Sequence, residues 1–269
     1  MQIRLYQLDA FTNEIFRGNP AAVCPLDAWL PDDVMQAIAA ENNLSETAFF
    51  VPTPDAADHD YHLRWFTPAS EIDLCGHATL ASAAVIFREL RPELDEVTFQ
   101  SLSGPLVVRK DDALLELDFP ARPVLREEPV TKELVAALGA RPTQLVRAAD
   151  LFAIYDDPDT VRTLTPDFSA LGTLDPGVIA VSAPGEALGL AYVCRAFAPG
   201  DGINEDPVTG RIQTTLAPYW AERLGTNVLP AKQLSARGGD LRVTLAGDRV
   251  RIAGEVAFVL EGTLTLPEA

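Results

Sequence analysis

The chain reads as an α+β protein built from two similar lobes. Three observations predict this: a sequence pattern that recurs about 130 residues on, strand-like alternation on either side of an apolar helix in each copy, and ample apolar content. The 269 residues are 48% hydrophobic, enough to fill one large core or two ordinary ones.

The recurrence comes first because it sets the frame for everything else. Tyr61-x-x-Arg64-x-Phe66-x-Pro68 returns as Tyr192-x-x-Arg195-x-Phe197-x-Pro199, 131 residues later. Gly76 opens the apolar helical stretch HATLASAAVIF, and Gly210 precedes RIQTTLAPYWAERL at a separation of 134, so three extra residues lie in the second loop. Gly104-x-Leu106-x-Val108 then answers Gly239-x-Leu241-x-Val243 in segments that alternate as strands. The repeated unit is therefore strand, loop, helix and strand, too long for a solenoid repeat and of ordinary domain size. The lobes are expected at 1–122 and 123–269. Between them FPARPVLREEPVTKEL passes from strand-like alternation through a Pro-rich connection to a helix start at Thr131. The closing stretch LRVTLAGDRVRIAGEVAFVLEGTLTL reads as hairpins, the last strand of which could return to the first lobe.

Charge and cysteine usage exclude several classes. Lys and Arg total 21 against 39 Asp and Glu, a net charge of −18, with no basic stripe to neutralise a phosphate backbone, so nucleic acid is not expected as a partner. An anionic substrate would have to be caught by local dipoles and a few cations. No apolar run is long enough for a membrane span, and MQIRLYQLDAF alternates like a strand, not like a signal peptide; a cytoplasmic protein without a membrane partner is expected. Cys24, Cys75 and Cys194 are three cysteines at wide spacing, which argues against a disulfide framework and a clustered zinc site, so no metal is expected. His59 and His62 lie in or beside the polar stretch DAADHDYH and read as solvated, leaving His77 alone in a segment that looks like a site.

In each lobe a Gly-containing loop meets a helix start, Asp73 to Thr79 in the first and Glu205 to Gly210 in the second. Free backbone N–H groups at helix starts attract anions, and two such starts facing each other would hold a small anion from both sides. The alternative is that Gly76 and Gly210 are turn residues and that Asp206 and Thr209 are caps. Glu46 follows a helical segment and precedes an apolar strand; partial desolvation there suits a carboxylate to accept and return a proton, the alternative being a capping glutamate. Asp206, its direction fixed by Pro207, is the second acid. Cys75 stands at a helix start but finds Thr209 at the matching place in the second copy, so a two-thiol racemase is disfavoured and a packing role is the simpler reading. His77 is either a donor to substrate or a helix-end residue.

The ordered motifs resemble those of the PhzF-like phenazine-biosynthesis protein family, related in fold to diaminopimelate epimerase. They are Asp9-Ala10-Phe11-Thr12, Gly18-Asn19-Pro20-Ala21-Ala22-Val23, Leu44-Ser45-Glu46-Thr47-Ala48-Phe49, Asp73-Leu74-Cys75-Gly76-His77-Ala78-Thr79, Asn204-Glu205-Asp206-Pro207-Val208-Thr209-Gly210, and Leu216-Ala217-Pro218-Tyr219-Trp220. The resemblance implies two pseudo-symmetric hotdog-like lobes, each a β-sheet or barrel around a central helix, and a homodimer. It implies an isomerase without cofactor that moves a proton on a small anionic carboxylate, with Glu46 as general acid/base and His77 and Asp206 lining the pocket beside Cys75, Gly76, Thr209 and Gly210. One departure stands out: the family's serine after Thr-Gly is Arg211 here, a cation that could pair with a substrate carboxylate, block the pocket or turn outward. A catalytically silent small-anion-binding protein and an epimerase are therefore the alternative readings.

Overall fold

The computed structural model describes residues 1–53, 58–174 and 177–266. The fold is mixed α+β, and the chain divides into two compact units: Met1–Asp118 together with the described residues from Ala253 onward, and Phe119–Ile252. The division falls at 118/119 where 122/123 is expected, and the segment after Ile252 joins the first unit, the return that the sequence leaves open for the last strand. The cause is the final strand, Val256–Thr265, which zips antiparallel along Gln2–Ala10 with Leu5 opposite Gly262.

In the first unit Gln2–Ala10 turns into Asn19–Pro25, and the helix Asp32–Asn42 carries the chain over to Glu46–Pro52, parallel to Asn19–Pro25. Tyr61–Phe66 and then the short Glu71–Ile72 follow antiparallel, and the helix Gly76–Val85 leads by a further turn to Glu96–Ser101, parallel to Tyr61–Phe66. Gly104–Asp111 folds back on Glu96–Ser101. The loop between the first two strands needs a glycine: Gly18 has φ +60, and a Cβ there would meet the Ala10 carbonyl oxygen at 2.2 Å.

The second unit repeats this pairing scheme step for step. Gln144–Arg147 pairs antiparallel with Leu151–Ile154, which runs parallel to Ile179–Pro184, which is antiparallel to Tyr192–Ala198 and so to Ile203–Asp206. The helix Gly210–Leu224 then leads to Val228–Gln233, parallel to Tyr192–Ala198. Arg126–Glu127 covers Gln144–Arg147 as the last strand of the chain covers Gln2–Ala10. The recurrent motif builds the same device twice. Arg64 forks onto Glu71 with both bonds at 2.7 Å and lies over Phe66; Arg195 forks onto Glu205 at 2.7 and 2.9 Å and lies over Phe197.

Two-residue alternation sorts the strand side chains. In the first unit Phe49, Val51 and Phe66 pack with Cys24, Met35 and Ile38 under the helix Asp32–Asn42. The opposite face carries Glu46, Ala48 and Phe50. The helix Gly76–Val85 is small and apolar, with every residue from His77 to Val85 buried. In the second unit the corresponding outer core joins Leu134, Leu138, Leu171, Val181 and Phe197. The expected helix start holds: Thr131 caps Lys132–Leu138 by accepting from the Leu134 N–H.

Candidate active site

Glu46 opens its strand, directly beside Ala21 of the parallel neighbour. It caps no helix; the helix before it ends at Asn42. Its carboxylate is turned inward to the start of the helix Gly76–Val85, where His77 Nε2 lies 3.0 Å from Oε2. Cys75 Sγ lies 3.4 Å from His77 Nδ1 and 3.9 Å from Nε2. All three side chains are buried: Glu46 is 8% exposed, Cys75 and His77 6% each. Glu46 Oε2 accepts no hydrogen bond among the described residues, because the close histidine nitrogen is near without being aimed along a bond. A buried carboxylate oxygen with a cation beside it and no donor on it is energetically costly, and such atoms cluster where a ligand completes the set.

Cys75 and His77 answer each other electrically. Burial pushes the Cys75 thiol up to about 11, aided by the Glu46 charge, so it is protonated at neutral pH and is no base. For His77, burial works against the charged form, but the Cys75 sulfur 3.4 Å from Nδ1, as a hydrogen-bond acceptor, and the Glu46 charge outweigh it and hold the imidazole well above its ordinary value. Cys75 has extended backbone and makes no side-chain cap, so the first-turn N–H groups of the helix lack one. Thr79, one turn in, returns its hydroxyl to the Cys75 carbonyl at 2.6 Å.

Sequence reasoning overlooked Trp65. Its indole N–H is buried without an acceptor among the described residues. Trp65 stands opposite Ala48, so it shares the face of Glu46 and is its diagonal neighbour across the strand pair, within reach for a large side chain. No sequence signal could mark it, since an aromatic in a strand reads as core.

The second unit holds its own cluster. The Thr209 hydroxyl donates to Asp206 Oδ2 at 2.5 Å, and Thr209 makes no side-chain cap on the helix. Gln233, fully buried, donates to the Asp206 carbonyl at 2.7 Å and accepts from the Thr209 N–H at 2.9 Å. Gln213 donates to the Thr209 carbonyl at 3.1 Å and accepts from the Tyr192 hydroxyl at 2.6 Å. Gln213 stands to Thr209 as Thr79 stands to Cys75, four residues into the helix. Gln233 went unread in the sequence because its partners are 24 and 27 residues away, and Gln213 because its partner Tyr192 is 21 residues away.

The counterparts of the acid and its histidine differ. Thr47 pairs with Phe66 and Ile179 with Phe197, which sets Val178 at the place of Glu46. His77 matches Arg211, which forks onto Asp150 through Nε and Nη2 at 2.9 and 2.5 Å. The predicted site residues therefore fall into two sets, Glu46, Cys75, Gly76 and His77 in the first unit and Asp206, Thr209, Gly210 and Arg211 in the second.

A family model for phenazine biosynthesis-like proteins matches residues 8–262. The chain belongs to the phenazine biosynthesis-like family. An uncharacterized isomerase of Pseudomonas aeruginosa is 47% identical over 99% of this chain and 100% of its own. A phenazine biosynthesis-like domain-containing protein of Mus musculus is 40% identical over 98% and 100%. The crystal structure of a PhzF-family phenazine biosynthesis protein from Enterococcus faecalis superposes with a TM-score of 0.93 at 45% identity, covering 99% and 100% of the two chains. In kind, this phenazine biosynthesis-like protein is an isomerase. Among the described residues no helix is long and apolar enough to cross a membrane.

Two predictions arise from these contacts in the family member. Because His77 is held above its unfolded value of about 6.5, its share of stability is complete below that pH and is lost as pH rises through the folded value. The difference in urea unfolding free energy between wild type and His77→Gln should shrink steadily as pH is raised from 6.5; a flat difference would remove the charged imidazole. Arg211→Ala strands Asp150, whose side chain is 3% exposed and already pushed up by burial, while Arg211 itself is 47% exposed. Solvent screening of the exposed partner holds the expected cost to about 1–2 kcal/mol, below that of a fully buried pair. Urea unfolding of the variant measures it.

Proposed function

We propose that this isomerase moves a proton on a small carboxylate metabolite, with Glu46 as the single general acid and base. The carrying observation is the buried Glu46 oxygen that accepts no hydrogen bond beside a charged His77. Glu46 takes a proton from a carbon made acidic by the substrate's own conjugation, and the electron pair left behind shifts the double bond. Glu46, now neutral, returns the proton to the carbon where the charge has arrived. His77 stays protonated and faces the developing charge, a fixed positive donor that needs no reorganisation. No net charge is gained or lost in the cycle. One carboxylate suffices, since the Cys75 thiol is held protonated and Val178 replaces the acid in the second unit. In this reading each unit is a hotdog-like lobe around its central helix.

Trp65 fits the same scheme as a donor to the substrate carboxylate. Trp65→Phe keeps an aromatic ring but removes the N–H and part of the buried volume, so kcat/KM should fall about tenfold or more while the cavity cost is partly offset by relief of a buried donor without an acceptor and stability changes little. A loss of stability with unchanged kcat/KM would make it a packing residue only. The proposal as a whole is tested by incubating the protein in D2O with a panel of unsaturated and cyclic carboxylates. Deuterium should enter carbon positions of at least one member, read by mass spectrometry, and a panel that stays unlabelled while one member is isomerised with full retention of solvent-free hydrogen would point away from an exchangeable carboxyl base.

A further inference from the structure

Glu46, Cys75 and His77 bring an oxygen, a sulfur and a nitrogen together, all within 4.8 Å of one another and all buried. This is the mixed set that a thiophilic divalent cation prefers and that hard cations such as magnesium or calcium do not. In a tetrahedral zinc centre, with bonds of about 2.0–2.3 Å, ligand atoms stand roughly 3.4–3.6 Å apart. Here His77 Nε2 is 3.0 Å from Glu46 Oε2 and 3.9 Å from Cys75 Sγ, so adjustments of a few tenths of an ångström bring the nitrogen into place, while the widest separation in the set, within 4.8 Å, closes by up to about an ångström through side-chain rotation. The Glu46 oxygen accepts no hydrogen bond, so coordination displaces none and gives up only its contact with the His77 imidazolium.

We propose that the triad binds one Zn(II) ion, which occupies Glu46 and silences the enzyme. On binding, the Cys75 thiol and the His77 imidazolium each release a proton to solvent, leaving a thiolate, a carboxylate and a neutral imidazole around a doubly charged cation. The set is then electrically neutral, which suits a buried site, and three protein ligands leave a fourth position open. Binding stands on the geometry alone, whereas inhibition rests on the proton-transfer role of Glu46.

The test is titration of the full chain with Zn(II) against a chromophoric chelator, and with Co(II) followed optically. The expected result is one site per chain, a thiolate-to-cobalt charge-transfer band, and at least a tenfold weaker affinity in both Cys75→Ser and His77→Asn, each checked for native circular dichroism. His59 and His62, whose Nε2 atoms lie 2.9 Å apart with His62 exposed, are the surface pair that could compete for the ion. His62→Ala should leave the site intact. Loss of binding in His62→Ala, or a cobalt spectrum without the thiolate band, overturns the proposal. Zn(II) bound with the cobalt signature while deuterium exchange continues unchanged would sink the acid/base role of Glu46 and leave the metal site standing.

Discussion

Glu46→Gln should cost at least about 10²-fold in kcat and abolish solvent-deuterium entry, while the bound substrate is still held. The amide keeps the size and the buried position but can neither take a proton from carbon nor give one back, and general acid–base contributions of this kind are worth about 10² to 10⁴-fold. Here the upper half of that range is expected, because in the proposed cycle one carboxyl serves both steps and the thiol 3.4 Å from His77 is held protonated. The variant should also fold well. The amide relieves Oε2, which accepts no hydrogen bond, of its buried charge but leaves His77 without its partner at 3.0 Å, so the imidazole should give up its proton more readily and the two effects should largely offset each other. Lost exchange with retained stability identifies the role; a variant that exchanges deuterium at the wild-type rate would assign the chemistry elsewhere.

The same residues show how far sequence reasoning reaches. Glu46, Cys75 and His77 were legible one by one, because each stands at an element end that the alternation and the Gly-containing loop betray. Their meeting was not legible from periodicity, since 28 residues lie between Glu46 and Cys75 and only the fold sets their distance. The repeat was read correctly, down to the three-residue insertion, which falls between Arg195 and Glu205 and keeps the fork of Arg64 and Glu71 intact. The partner of Arg211 was not read. Asp150 lies 61 residues away and belongs to no motif, so a cation at the family's serine position looked free to meet substrate. Gln213, Gln233 and Trp65 escaped for the related reason that a polar or aromatic side chain in an apolar run reveals burial but not what it faces.

Arg195→Met should destabilise the protein by about 3–5 kcal/mol, and Arg64→Met by only about 1 kcal/mol, although the two arginines are copies of one motif. Both fork onto a glutamate and lie over a phenylalanine, so motif logic alone predicts equal costs. Their surroundings differ. The Arg195 side chain is 10% exposed against 22% for Arg64. Arg195 also donates to the carbonyls of Val161 at 3.1 Å and Leu164 at 2.8 Å, tying the end of the helix Pro158–Thr163 to the sheet. Methionine fills the volume but leaves Glu205 and two carbonyls without their donor, and a buried charge stripped of its partner carries the full desolvation penalty. At Arg64 the third partner is Asp32, which is 78% exposed and is rehydrated at once when the guanidinium goes. Urea unfolding of the two variants decides the matter through the difference in midpoint at constant slope. Equal losses would mean that the shared fork, not the two carbonyl bonds added in the second unit, sets the stability of this device.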